Sequence, residues 1–242
     1  MTYPIAGCRG QSRVQSVIDY PARWGLISCW ELEEASGTRE DAHGTNDLTD
    51  NNTVTQVAGV VGNAAKFTAV SLEYLSIADN ASISTGDIDF WLSCWVYFDS
   101  GIAIQAIIAK GDTLLAAEYT LFRTVTDELV FLVGNGINSG SVSAAITGGT
   151  WHFVLAWHDA ANNTVNFKVD GGSTVSAAYA SGGQNSDHPL HLGATFVPLA
   201  FLNGRIDQAC FGKSPAGGVA GIIDEIGTRI YNGGSGRFYP FA

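Results

Sequence analysis

Three acids stand close together near the start of the chain, Glu31, Glu33 and Glu34. Retaining glycoside hydrolysis needs two carboxylates about 5–5.5 Å apart. Side chains two positions apart on a strand share a face, so Glu31 and Glu33 have a usable spacing. They fall, however, where a strand runs out into the Ser36-Gly37 loop, a poor place to fix a reacting pair. Asp87 and Asp89 flank another strand start and read as solvated turn acids. His43, His152, His158, His188 and His191 are scattered, and there is no G-x-S-x-G nucleophile elbow. In His188-Pro189-Leu190-His191 the imidazoles are three apart, so an extended chain points them to opposite faces, and a third zinc ligand is missing. Cys8, Cys29, Cys94 and Cys210 make no C-x-x-C pair and read as buried free thiols. These residues predict no catalytic machinery.

What must position them is set by composition. The chain has 242 residues, 46% hydrophobic and only 14% charged, with 29 glycines. A soluble domain typically carries about 25% charged residues and about 7% glycine. Low charge with abundant glycine suits short strands and many turns, and excludes a helical bundle, a coiled coil or a disordered chain. The length fits one all-β domain. A net charge of −11 disfavours nucleic acid and anionic membrane surfaces. No apolar run approaches the roughly 20 residues of a membrane span. The first 24 residues show no basic start followed by an apolar block, so no signal peptide is expected.

Alternation of apolar and polar residues marks the strands. Val165, Phe167 and Val169 face one way and Thr164, Asn166 and Lys168 the other, and Asp170-Gly171-Gly172 supplies a turn to a partner at 173–179. Trp151, Phe153, Leu155 and Trp157 alternate likewise. Further strands are expected at 26–32, 64–68, 72–77, 89–98, 103–109, 117–124, 128–134, 141–146, 189–193 and 201–211. In 89–98, Phe90, Leu92, Cys94, Val96 and Phe98 share one face while Trp91, Ser93, Trp95 and Tyr97 share the other. Both faces are rich, so this strand is central. Ile222, Ile223, Ile226 and Ile230 recur at helical spacing, predicting one helix over about 216–231 that ends at Gly233-Gly234. Residues 1–24, with Arg9, Arg13 and Arg23, read as an N-terminal arm or adaptor before a sandwich at 25–242. The expected fold is an all-β, two-sheet antiparallel jelly-roll sandwich with one short C-terminal helix.

Five segments carry a resemblance. They are GLISCWELEEASGTREDAHGTNDLT (25–49), AAKFTAVSLEYLSIADNASISTGDIDFWLSCWVYFD (64–99), WHFVLAWHDAANNTVNFKVDGG (151–172), LHLGATFVPLAFLNGRIDQACFGKSP (190–215) and RIYNGGSGRFYPF (229–241). Their order resembles the laminin-G-like, concanavalin-A-like lectin and glucanase jelly rolls. The wording EYLSIADNASISTGDIDF and the tail YNGGSGRFYPF look like the variant found in virion proteins of tailed bacteriophages.

The resemblance implies a recognition protein rather than an enzyme, since the glucanase signature E-x-D-x-x-E is absent. Lectins of this fold often bind glycans on the outer or concave sheet face, which makes Trp91, Trp95 and Tyr97 glycan-binding candidates; the alternative is that Trp91 and Trp95 are covered by loops, by the C-terminal helix or by a neighbouring subunit. The loop Asp41–Asp47 resembles one that often holds a structural calcium, which makes Asp41 and Asp207, with Asn46 or nearby carbonyls, its candidate ligands here; the alternative is a hydrogen-bonded loop with no ion. The expected role is a capsid decoration or fibre protein on a phage particle surface, non-catalytic and homo-oligomeric. Residues 1–24 would dock it to the capsid or other virion proteins, and the sandwich would bind host or environmental glycans. The alternatives are a free, extracellular lectin-like protein and, behind it, a glycoside hydrolase.

Overall fold

The computed structural model describes residues 19–99, 103–111, 117–195 and 200–241. The first eighteen residues of the expected arm lie outside the described residues.

Two antiparallel sheets face each other. The first contains β1 (Leu26–Trp30), β3 (Thr55–Ala58), β4 (Asn63–Phe67), β6 (Phe90–Phe98), β11 (Trp151–Asp159), β12 (Thr164–Val169), β13 (Val175–Ala178) and β15 (Gly204–Lys213). Its order is β13-β12-β11-β6-β15-β4-β3, and β1 also pairs with β15. The second contains β2 (Thr49–Asn51), β5 (Tyr74–Ile77), β7 (Gln105–Gly111), β8 (Ala117–Arg123), β9 (Glu128–Gly134), β10 (Ser139–Ala145) and β14 (Leu190–Leu192). Its order is β10-β9-β8-β7-β14-β5-β2. Every strand expected from alternation forms. The short edge strands β2 and β3, reading Thr-Asp-Asn and Thr-Gln-Val-Ala, carry no such pattern. Their ladders with β5 and β4 define them instead.

The inner face of β6 (Phe90, Leu92, Cys94, Val96, Phe98) fills the space between the sheets, with Phe67, Leu121, Phe131, Val154 and Phe167 among its neighbours. This is the burial that drives the sandwich, each large side chain contributing about 1.5–3 kcal/mol.

A third layer lies on the outer face of the first sheet. It consists of α1 (Tyr20–Arg23), Trp24, α2 (Ile223–Tyr231) and the tail as far as Phe241. The expected helix begins later than position 216. A 3-10 turn at Val219–Gly221 precedes it. It stops at Asn232, whose left-handed backbone (φ 47°) ends the helix before the glycine pair. Asn commonly takes this role at a helix C-terminus. Trp24 is fully buried, with ring centroids 5.7 Å from both Tyr20 and Phe241. Residues 19–24 therefore belong to the folded body, which moves the expected arm boundary toward the N-terminus. Among the described residues no helix is long and apolar enough to cross a membrane.

Candidate functional site

β6 divides its side chains as the alternation predicts, but the outer aromatics are not open to a ligand. Trp91 is fully buried and Trp95 is 3% exposed. The Trp91 indole donates to the Trp24 carbonyl at 2.8 Å. Gly212 lies opposite Trp91 on β15, and a Cβ there would fall 2.4 Å from the indole, so glycine makes room for it. Trp95 stacks on Tyr231 of α2 with centroids 5.6 Å apart and packs against Phe153 at 5.3 Å. The expectation that Trp91 and Trp95 bind glycan is thus corrected. The isoleucine stripe of α2 (Ile223, Ile226, Ile230) needs an apolar partner, and this aromatic face supplies it.

Tyr97 is different. It is not part of the third-layer cluster and is only half-buried. Register places it in a row that crosses five strands: Trp151 faces Tyr97, Tyr97 faces Arg205, Arg205 faces Lys66, and Lys66 faces Thr55. At the usual strand spacing this row runs roughly 19 Å. The Trp151 and Tyr97 rings meet edge-on at 5.7 Å. The Arg205 guanidinium lies 4.2 Å above the Tyr97 ring centre. Asp99, at the end of β6, accepts from Arg205 at 3.1 Å and also pairs with Lys66. Partial burial, and then the charge of Arg205, lower the pKa of the Lys66 ammonium. The row thus offers two aromatic rings, two cations and a hydroxyl in fixed order on rigid strands.

The expected calcium ligands do not form a cation cage. Asp41 and Asn46 do come together, but as parts of a loop brace. Asp41 Oδ1 accepts from the backbone N–H groups of Cys29 (3.0 Å), His43 (3.1 Å) and Gly44 (2.9 Å), and Oδ2 from Asn46 (3.1 Å). Asn46 Nδ2 donates to Ser28 Oγ and Ser82 Oγ. Four amide hydrogens already surround the carboxylate, and a cation would have to displace them. Asp207 serves another loop: its Oδ2 accepts from Val60 (2.7 Å) and Val61 (3.0 Å). Among the described residues no three His, Cys, Asp or Glu side chains converge as a metal group.

Nor do the acids near Glu31 form a reacting pair. Glu31 accepts from Tyr239 N, Glu33 from Asn63 N and Nδ2, and Glu34 from Glu40 N. Each braces a different segment. Partial burial raises the Glu31 carboxyl above its ordinary pKa, against the pull of the Tyr239 N–H.

Sequence reasoning missed one catalytic-looking arrangement. His152 Nδ1 lies 2.7 Å from Asp170 Oδ2, and Nε2 lies 3.2 Å from the Thr147 hydroxyl. Nε2 also lies 3.1 Å from the Thr147 carbonyl. The trio ties the start of β11 to the β12–β13 turn, and the ladder from Val154↔Val169 would have been the sequence clue.

A family model described as the concanavalin A-like lectin/glucanases superfamily matches residues 71–211, more than half of the chain. No curated protein matches the sequence. Among solved structures, the binding domain of Paraclostridial Mosquitocidal Protein 1 superposes with a TM-score of 0.69 at 13% identity, covering 86% of this chain and 53% of that one. The botulinum neurotoxin serotype G binding domain gives 0.62 at 11% identity, covering 83% and 50%. This chain therefore spans about half the length of those toxin domains. Domain 4 of AbnA, a GH43 extracellular arabinanase from Geobacillus stearothermophilus solved with arabinotriose, gives 0.54 at 16% identity, covering 79% and 95%. At such identities the likeness concerns the fold. Taken with the two antiparallel sheets and their jelly-roll order, the family match shows that this chain belongs to the concanavalin A-like lectin/glucanases superfamily.

Proposed function

We propose that the chain is a non-catalytic recognition domain that binds a glycan along the row Trp151, Tyr97, Arg205, Lys66 and Thr55. The observation that carries this is the partly exposed row at the end of the first sheet, where two aromatic rings are followed by two cations and a hydroxyl in one register. Aromatic rings with an apolar body suit the apolar face of a sugar ring. The guanidinium fork of Arg205, steadied by Asp99, suits its hydroxyls or an acidic substituent. The absence of a facing acid pair around Glu31 and Glu33 favours binding over hydrolysis. The similar structures, toxin binding domains and an arabinanase domain solved with arabinotriose, support the same reading.

A glycan array probed with the full chain tests it. Trp151→Ala and Arg205→Ala are each expected to weaken the best glycan signal at least about tenfold, the loss typical of a central contact residue, with little change in melting temperature. Undiminished binding in both variants, or no signal on the array, would overturn the assignment.

The setting we propose is the surface of a phage particle, with an extracellular lectin as the alternative. It rests on the wording of residues 73–90 and 231–241 and on an N-terminal arm. Because residues 19–24 are part of the folded body, the docking segment is 1–18. A chain lacking residues 1–18 is expected to keep its melting temperature and its glycan signal but to lose attachment to particles. Retained attachment would remove the arm's role. Weak sugar contacts gain avidity when many copies are displayed together, which goes with a symmetric homo-oligomer.

A further inference from the structure

The four cysteines read as free thiols in the sequence, yet the fold brings two of them into contact. Cys29 on β1 and Cys210 on β15 are direct antiparallel partners. Their Sγ atoms lie 2.8 Å apart, across a separation of 181 residues. Directly opposed residues of an antiparallel pair have Cα atoms about 4.5–5.5 Å apart. That range falls within the span of about 4.4–6.8 Å that disulfides require. Both side chains point outward from the first sheet into the third layer, among Trp24, Trp95, Val219 and Phe241. Cys94 points the other way, into the space between the sheets. Of the three described cysteines, only Cys29 and Cys210 share a face.

We propose that Cys29 and Cys210 form a cross-strand disulfide that staples β1 to β15 beneath the C-terminal tail. The oxidant is a low-molecular-weight disulfide such as oxidised glutathione. One cysteine thiolate attacks it, forming a mixed disulfide and releasing one small thiol. The second cysteine then attacks the mixed disulfide and releases the other. One S–S bond forms in the protein, which gives up two protons and two electrons, and one S–S bond of the oxidant is reduced to two thiols. Both thiols are fully buried in the folded chain. Burial, reinforced by the Cys210 thiol, also holds the Cys29 thiol well above its ordinary pKa. The exchange therefore belongs to folding, before Tyr239 and Phe241 close over the pair.

The staple would fix β1, which begins just after Trp24, to β15, and so hold the aromatic layer and its helical cover together. Its presence would also report that the chain matures under oxidising conditions.

The test uses the full chain, refolded with oxidised glutathione or with a phosphine reductant, then denatured, alkylated and mapped by mass spectrometry without reduction. The expected result in the oxidised sample is one linked peptide pair joining Cys29 and Cys210, lighter by two hydrogens than the reduced pair. The oxidised protein is expected to melt roughly 5–15 °C higher than the reduced one. Cys94→Ala is expected to preserve both the linkage and the melting difference, and Cys210→Ser to abolish both. Should Cys210→Ser fail to fold, the peptide map of the unaltered chain still decides. Full alkylation of Cys29 and Cys210 after oxidative refolding, or a linkage through Cys8 or Cys94, would overturn the proposal.

Discussion

Glu118→Ala is expected to destabilise the fold by about 3–5 kcal/mol, the usual cost of breaking a buried ion pair from one side. For a chain of this size each kcal/mol lowers the melting temperature by roughly 2–4 °C. Glu118, on β8, and Lys110, on β7, are both fully buried. Lys110 Nζ donates to Glu118 Oε2 at 2.7 Å, pairs with Asp79 at 2.9 Å and donates to the Ser186 carbonyl at 2.7 Å. Glu118 also accepts from the Thr85 hydroxyl and from the Ser186 N–H and hydroxyl. One carboxylate thus gathers a strand and the loops around 85 and 186. Removing it leaves the ammonium buried with a single, partly exposed carboxylate partner. The double variant Lys110→Met, Glu118→Leu removes both charges and is expected to recover most of the loss, since an apolar replacement of a buried pair is often neutral. Thermal melts of the three proteins check this. A Glu118→Ala change below about 1 kcal/mol would show that the cluster holds nothing.

The second large effect concerns pH. Burial pushes the Asp207 carboxyl up to about 7, against the Val61 and Val60 N–H groups that lower it, with Glu33 nearby adding to the rise. Between an unfolded value near 4 and this folded value, the native state holds more protons than the unfolded chain. Stability from this group is therefore highest in acid, falls as pH rises from about 4 to 7, and stays low above that. At 1.36 kcal/mol per pKa unit the fall is about 4 kcal/mol. Asp207→Asn keeps an oxygen for both N–H groups and removes the titration. Comparing melting temperatures of the two proteins from pH 4 to 8 isolates it: the difference should swing steadily in favour of the variant as pH rises. A constant difference across that range would sink the argument. The same brace commits Asp207 Oδ2 to the Val60 and Val61 amides.

Legibility followed the range of the physics. Period-two alternation located thirteen strands, from Leu26–Trp30 to Gly204–Lys213, because each reports a local choice between core and exterior. It missed β2 and β3, whose few residues satisfy an edge ladder without facing the core in a pattern. The isoleucines of α2 were also legible, and cover of Trp91 and Trp95 by that helix was one of the readings the sequence left open. An apolar helical stripe must lie on something apolar, and the Trp91, Trp95, Phe153, Leu155 and Trp157 face was the large surface left without a partner. Taken together, the two patterns direct attention from Trp95 to Tyr97 and Trp151. The acids were harder to read. Nothing in Asp41, Glu33 or Asp207 distinguishes a brace for loop amides from a metal ligand until the amides are in place.

Residue order by itself determined the sandwich: alternation fixed which side chains face inward, glycine and Asp-Gly turns fixed where strands reverse, and low charge with abundant glycine ran against a helical bundle, a coiled coil or a disordered chain. Tertiary structure alone decided which outer aromatics are covered, which stay partly exposed, that Cys29 meets Cys210, and what each buried acid holds. Inward-facing choice is made within a few residues. Cover, register and hydrogen-bond partners are set between segments far apart in the chain, 208 positions in the case of Glu31 and Tyr239, where local sequence carries no information about the neighbour.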